Sequence, residues 1–223
     1  LRIVLNADEH VSHPVDLARS GEWTALALVA AEDKRFFRHS GVDGLAVCRA
    51  AMSDLVCRRV VSGASTITML VGKLTEPRPR TFWTKMIEAR HAWELESRLS
   101  KSELLEQYLN RAPFGGNVVG IEAASRRYFG KAAADLTLSE SALLVGLPQS
   151  PARLRPDVHP QRAIRRRGYV LERMKANGFI SDAQFQQASA QKTAVVSTST
   201  PFLAPHFCDQ VARMHSREAR RVT

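Results

Sequence analysis

The sequence has no uninterrupted apolar run approaching the ~18 residues that a membrane-spanning helix needs, so no segment of it reads as a span. Its first residues also lack the charged start and apolar core of an export signal, so any address label has to come from elsewhere. The chain starts at Leu1 instead of a methionine, which reads as a processed product or an excised domain. Cysteine is scarce. Cys48 and Cys57 fall in one predicted helix, nine residues apart, and at ~1.5 Å rise per residue that is well beyond the ~7 Å a disulfide tolerates. With Cys208 as the third thiol there is neither a disulfide framework nor a zinc-like Cys/His spacing, and all three read as structural. Alternation with period two is rare and no internal repeat is present, which leaves helices as the main element.

What is present is positive charge. The 223 residues carry 32 Lys and Arg against 22 Asp and Glu, a formal charge of +10, which suits polyanions, anionic lipid surfaces or phosphorylated molecules. The basic residues do not form a reading motif with interleaved aromatics, so no specific nucleic-acid partner is expected. The length allows one well-packed domain, or one domain with a small second lobe.

Helical spacing over residues 22–31 places Leu26, Val29 and Ala30 on one side and delivers Glu32 near a helix C-terminus. Phe36 to Gly41 reads as an anchored loop. A second helix is predicted over 44–58, with Leu45, Cys48, Met52, Leu55 and Val56 as its packed side. The stretch 60–81 mixes small hydroxylated residues, a short helical segment over 69–74, and Pro77 and Pro79, and is the least regular of the first half. From Trp83 helical spacing resumes, with Met86, Ile87, Trp93 and Leu95 as the apolar side. Ser100 with Glu103, Thr137 with Glu140, and Ser181 with Gln184 have the spacing of capping boxes and predict three helix starts. Pro148, Pro151, Pro156 and Pro160 mark an extended connector, and 162–174 a basic helix. After Gln191 periodicity fades.

Two carboxylates lie where apolar packing meets concentrated positive charge. For Glu32 the ordinary reading is an ion pair with Lys34, Arg35 or Arg38. Against it, an apolar helix before the residue and Phe36 and Phe37 after it would desolvate the carboxylate, raise its proton affinity and suit it as a general base. Glu88 is three residues from Lys85, hence on the same helix face, and spacing alone favours a simple intrahelical pair. Lys73, Arg80 and Lys85 flank the loop containing Ser65 and Thr66. They read either as a solvated basic surface or as a diphosphate cradle in which hydroxyls donate hydrogen bonds and cations neutralise a leaving group. His39 and His91 read as structural hydrogen-bonders, and no metal is assigned. Ser189 and Lys192 match a Ser-x-x-Lys pattern without partner motifs, and the match reads as chance.

Together these residues resemble the family 51 peptidoglycan glycosyltransferases, the polymerising domain of class A penicillin-binding proteins, over about residues 23–207. Glu32, Asp33, Phe36, His39 and Gly41 match the first family motif, and Gly63 to Thr68 the second. Lys85 and Glu88 match the third. Tyr108-Leu109-Asn110 with Phe114-Gly115 and Tyr128 to Lys131 match the fourth, and Leu147-Pro148-Gln149 with Pro151 the fifth. Asn110 to Gly116, Arg153 to Pro156 and Pro201 to Phe207 are similar to the 1C type in particular.

The resemblance implies a mainly α fold, a lysozyme-like helical lobe with a smaller membrane-proximal jaw. The glycosyltransferase domain would cover 1–195, with the jaw at about 42–80, and 196–223 would be a linker or the start of a following domain. It implies lipid II and the growing glycan strand as substrates. Glu32 would deprotonate the acceptor GlcNAc 4-hydroxyl for attack on the donor MurNAc C1, with inversion to a β-1,4 bond and release of undecaprenyl diphosphate. Glu88 would be the positioning partner, and Ser65, Thr66, Lys73, Arg80 and Lys85 the diphosphate-binding set. Asp33, Phe36, His39 and Gly63 would support the motifs. A divalent cation, magnesium or manganese, could share the charge neutralisation. The implied location is the outer, periplasmic face of the bacterial cytoplasmic membrane, against an anionic surface, with other cell-wall synthases as candidate partners and moenomycin as a donor-site ligand. Family members often carry Gln at the positions of Met69 and Leu70, Asn at Leu74 and Arg at Thr84. These departures keep open a catalytically weak module that binds lipid II or a partner. A lytic glycan-cleaving reading fits the phosphate cluster less well.

Overall fold

The computed structural model describes residues 11–57, 65–79 and 81–192. Ten helices carry the described fold: α1 (Thr24–Glu32), α2 (Gly44–Cys57), α3 (Ile67–Thr75), α4 (Phe82–Arg98), α5 (Lys101–Arg111), α6 (Ile121–Phe129), α7 (Leu138–Gly146), α8 (Pro151–Leu154), α9 (Pro160–Ala176) and α10 (Asp182–Ala190). A small sheet that the sequence pattern did not announce joins β1 (Val11–Ser12), β2 (Pro113–Gly115) and β3 (Val118–Val119) in the order β1-β3-β2. Its β1–β3 pair is parallel and its β2–β3 pair antiparallel. Strands this short give no period-two signal.

α1 is apolar nearly all round, and α7 carries an apolar run over Ala142 to Val145, so both must be largely enclosed. Ala27, Leu28, Val29 and Ala30 of α1 are buried, as are Ala142, Leu143, Leu144 and Val145 of α7. α9 closes over both. It contributes Ala163, Val170, Leu171 and Met174 to the core and sends the Arg173 Nε to the Ala30 carbonyl at 2.9 Å, satisfying one of the otherwise open C-terminal acceptors of α1. α3 and α5 add Ile67, Val71, Leu104 and Leu109 to the same core.

The three predicted capping boxes are formed at Ser100/Glu103, Thr137/Glu140 and Ser181/Gln184. α3 starts earlier than its apolar spacing predicts, because the Thr66 hydroxyl accepts from the Met69 N–H and nucleates the helix there. The proline-marked connector is not extended. Pro148 lies in a 3-10 turn, Leu147–Gln149, and Pro151 and Pro160 stand in the first turns of α8 and α9, where their missing N–H groups cost nothing.

Two apolar helix faces are not core faces. On α2, Leu45 is 68% and Met52 70% exposed, and Cys48 is exposed as well, so the predicted packed side faces outward. Nothing is described for the side chains of Leu55 and Val56. On α4, Met86, Ile87 and Trp93 are exposed, with Trp83 the most open at 75%. The buried side of α4 is instead Thr84 and Ala92, flanked by half-buried Leu95. The expected jaw at about 42–80 is therefore not uniform. α3 sits in the main core, while α2 presents its apolar residues to the outside.

Candidate active site

Glu32 is the last residue of α1, and its side chain keeps 24% of its surface. Burial pushes its carboxyl above the usual carboxylate range, Arg166 and Arg173 pull it back down, and Asp33 pushes it up again. The two aromatics expected to desolvate it differ in burial. Phe36 is fully buried, whereas Phe37 is exposed and meets it edge-on. The cations near Glu32 in sequence are not its partners. Arg35 forms a bidentate pair with Asp43, whose carboxylate also accepts the Ala46 N–H at the start of α2, and Lys34 and Arg38 are exposed. The guanidinium facing Glu32 belongs to Arg166 of α9, 3.6 Å from Oε1. The sequence marks α9 only as basic, and nothing in its spacing singles out that one arginine.

Asp33 is 6% exposed and is used as a joint. Its carboxylate accepts the Ile67 N–H at 3.2 Å and lies 3.0 and 3.1 Å from the Nε2 of His39. His39 is thus a structural hydrogen-bonder. The Thr66 hydroxyl donates to the Gly41 carbonyl at 2.5 Å. Gly41, at φ +82°, lies so close to α4 that a Cβ would be 2.8 Å from the Ala92 carbonyl group. The loop after α1, the start of α3 and the flank of α4 therefore lock together at one point. Thr66, expected in the diphosphate-binding set, is 1% exposed here, and its hydroxyl donates to Gly41 and accepts from the Met69 N–H, so it also holds the fold.

Beyond that joint, Lys85 Nζ donates to the Ser65 Oγ at 2.8 Å and to the Glu88 Oε2 at 2.8 Å. Glu88 is the more enclosed partner, with 11% of its side chain exposed against 53% for Lys85. The intrahelical pair expected from spacing is formed, and it is shared with the loop that precedes α3. Lys73 is half-buried in the last turn of α3. The structure thus connects Glu32 to Glu88 through Asp33, Ile67, Thr66, Ser65 and Lys85. Arg80 and Gly63 lie outside the described residues. His91 Nδ1 sits 3.7 Å from Glu76 and away from this chain of contacts.

Other contacts hold the arrangement. Lys101 Nζ donates to the His39 carbonyl at 2.7 Å and to Glu96 at 2.6 Å, and lies 4.4 Å from the Phe36 ring centre. Glu96 also accepts the Thr68 hydroxyl. Tyr108 of α5 is buried near Glu32, and desolvation holds its phenol far above the ordinary range, hence neutral. Met69 is buried, and Leu70 and Leu74 are half-buried and pack against the core. Thr84 is buried, with its hydroxyl against that of Thr81.

A family model described as Transglycosylase matches residues 2–175. The chain belongs to the transglycosylase family. Penicillin-binding protein 1C of Escherichia coli (strain K12) is 45% identical over 202 residues, which cover 91% of this chain and 26% of that protein. Penicillin-binding protein 1A of Aquifex aeolicus (strain VF5) is 38% identical over 198 residues, 88% of this chain and 27% of the other. This transglycosylase domain therefore spans about a quarter of the length of these relatives. The crystal structure of penicillin-binding protein 1A from Haemophilus influenzae matches 94% of the chain and 22% of its own, with a TM-score of 0.56 at 23% identity. That likeness supports the lysozyme-like helical fold.

Proposed function

We propose that this transglycosylase domain polymerises lipid II into β-1,4-linked glycan, with Glu32 as the general base. The observation that carries the proposal is the setting of Glu32. It is a largely enclosed carboxylate at a helix end, with elevated proton affinity, and the next residue, Asp33, is bonded to the start of α3, whose preceding Ser65 meets the Lys85 that pairs with a second enclosed carboxylate, Glu88. The acceptor GlcNAc 4-hydroxyl gives its proton to Glu32 as its oxygen attacks the donor MurNAc C1. The bond from C1 to the diphosphate breaks, the configuration inverts, and undecaprenyl diphosphate leaves.

A diphosphate departs without a strong acid if its growing charge is met. Lys85, held by Ser65 and Glu88, is positioned to do so, with Lys73 and Arg80 completing the set. Two carboxylates then need not divide into acid and base as they do in a glycosidase. Glu88 orients Lys85 and leaves most of that cation exposed to substrate. Magnesium or manganese could share the diphosphate charge. Among the described residues no three His, Cys, Asp or Glu side chains gather in one place, so such an ion would be held chiefly by the diphosphate itself.

No helix among the described residues is long and apolar enough to cross a membrane. We infer that Leu45, Val47 and Met52 of α2, with Trp83, Met86 and Trp93 of α4, rest on an anionic lipid surface on the periplasmic side, where the lipid-linked substrate resides and other cell-wall synthases would be met. The glycosyltransferase unit would end near residue 195.

Lipid II incubated with the protein in detergent or lipid should yield glycan polymer, and Glu32→Gln should lower the rate by about 10²–10⁴-fold. Absence of polymer from the unaltered chain, or an undiminished rate in the variant, overturns the proposal.

A further inference from the structure

We propose that Arg166, seated over Gly146 and braced by Tyr169, is the positioning residue for the Glu32 carboxylate. The inference rests on the reading of Glu32 as the base. It starts from three consecutive arginines that do different things. Arg165 is exposed. Arg167 is buried and bonds the Ser139 hydroxyl and the carbonyls of Ser189 and Gln191, which fixes the end of α10. Arg166 alone points to Glu32, with only 13% of its side chain exposed.

Its path is made by an absence. Gly146 ends α7 in ordinary helical geometry, where alanine would be the better helix former by about 1 kcal/mol. A Cβ there would lie 2.7 Å from the Arg166 Cγ. The missing side chain leaves the channel that the arginine stem occupies, and the Gly146 carbonyl accepts from Arg166 Nε at 3.3 Å. On the other side, the guanidinium carbon sits 4.6 Å from the Tyr169 ring centre, a stacking distance that limits its swing. The terminal nitrogen then stands 3.6 Å from Glu32 Oε1. That is close enough for charge attraction and too long for a hydrogen bond, so the carboxylate lone pairs stay open to receive a proton.

The surrounding groups cannot replace it. Arg173, on the same face of α9, spends its Nε on the Ala30 carbonyl and lies 3.3 Å from the Tyr169 hydroxyl. Tyr108 faces Glu32 from α5 as a neutral phenol, and Asp33, beside it in the chain, is negative and occupied by His39 and Ile67. Arg166 is therefore the group whose removal most favours the protonated, inactive form of the base, in accord with its place as the foremost charge acting on Glu32.

The test is a carbon-13 NMR titration of the glutamate carboxyls in the full chain, with Glu32→Gln identifying the Glu32 signal. Arg166→Gln should move the Glu32 midpoint to higher pH, Arg166→Lys should restore part of the shift, and Gly146→Ala, which removes no charge, should also raise it by displacing the arginine. A midpoint unmoved in folded Arg166→Gln overturns the proposal, and one unmoved in folded Gly146→Ala overturns the seating. In polymerisation assays the Arg166→Gln loss should grow several-fold as pH is lowered toward the Glu32 midpoint read from the titration, and fall on kcat. If the unaltered chain makes no polymer, the reading of Glu32 as base fails, while the titration still decides whether Arg166 governs its charge.

Discussion

Replacing Asp33 by alanine tests the joint on which the site is assembled. The carboxylate is buried, accepts the N–H of Ile67, a fully enclosed residue, and holds the Nε2 of His39. Hydrogen bonds to a buried charge contribute about 1.5–3 kcal/mol each, so losing both should cost about 3–6 kcal/mol. The cost is pushed toward the upper end because His39 Nδ1 already has no hydrogen-bond partner, and the whole imidazole would be left unsatisfied in the interior. Asparagine retains the volume and one acceptor and should cost about half as much. Urea unfolding followed by circular dichroism gives the difference directly, and for a domain of this size it corresponds to a melting point lower by about 10 °C or more. Because Thr66 pins the same helix start to Gly41, Thr66→Val combined with Asp33→Ala should destabilise by less than the sum of the single changes. An Asp33→Ala protein within about 1 kcal/mol of the unaltered chain would refute the joint, as would strict additivity with Thr66→Val.

Glu32→Gln should behave in the opposite way. Folding raises the proton affinity of Glu32, so stability is greatest when the group is protonated and declines as pH rises through the ordinary carboxylate value to the raised one. The variant should therefore melt above the unaltered chain at neutral pH, and the gain should vanish in acid below both values, as thermal unfolding across pH will show. Lys101→Met leaves Glu96, 9% exposed, with the Thr68 hydroxyl as its remaining partner among the described residues, and should cost about 3 kcal/mol, recovered in part by adding Glu96→Gln in a double-mutant cycle. Leu45→Glu with Met52→Glu should leave the melting point within about 2 °C, because both side chains are exposed, while sharply reducing co-sedimentation with anionic vesicles. Unchanged vesicle binding would remove α2 from the lipid-facing surface.

Much of this could be read from the residues because the signals are local. Capping boxes are set by side chains three apart, and all three named from spacing are formed. The end of α1 at Glu32 follows from an apolar run that stops there. The Lys85–Glu88 pair is likewise a neighbour relation on one helix. What spacing could not supply was the side of a helix that meets the core. α2 and α4 have apolar stripes, but a stripe does not say whether protein or lipid covers it, and both turned out exposed. Partners distant in sequence were equally hidden. Glu32 has three cations within six residues and uses instead an arginine more than a hundred positions away. Thr66 looked like a donor to phosphate because hydroxyls often are, and its neighbour Gly41, reached only through the fold, takes that donor.

The stretch from Asp33 to Gly41 has a consequence for how such sequences can change. Both of its ends are fastened to the same place, Asp33 to the Ile67 N–H and Gly41 to the Thr66 hydroxyl, and its far end also abuts Ala92. It works as a ruler. An inserted or deleted residue would leave one of the two fastenings out of reach, so its length should resist insertion even where individual residues, such as exposed Phe37 or Arg38, admit replacement. In this fold the number of residues between two anchors is as much a part of the chemistry as the carboxylates themselves.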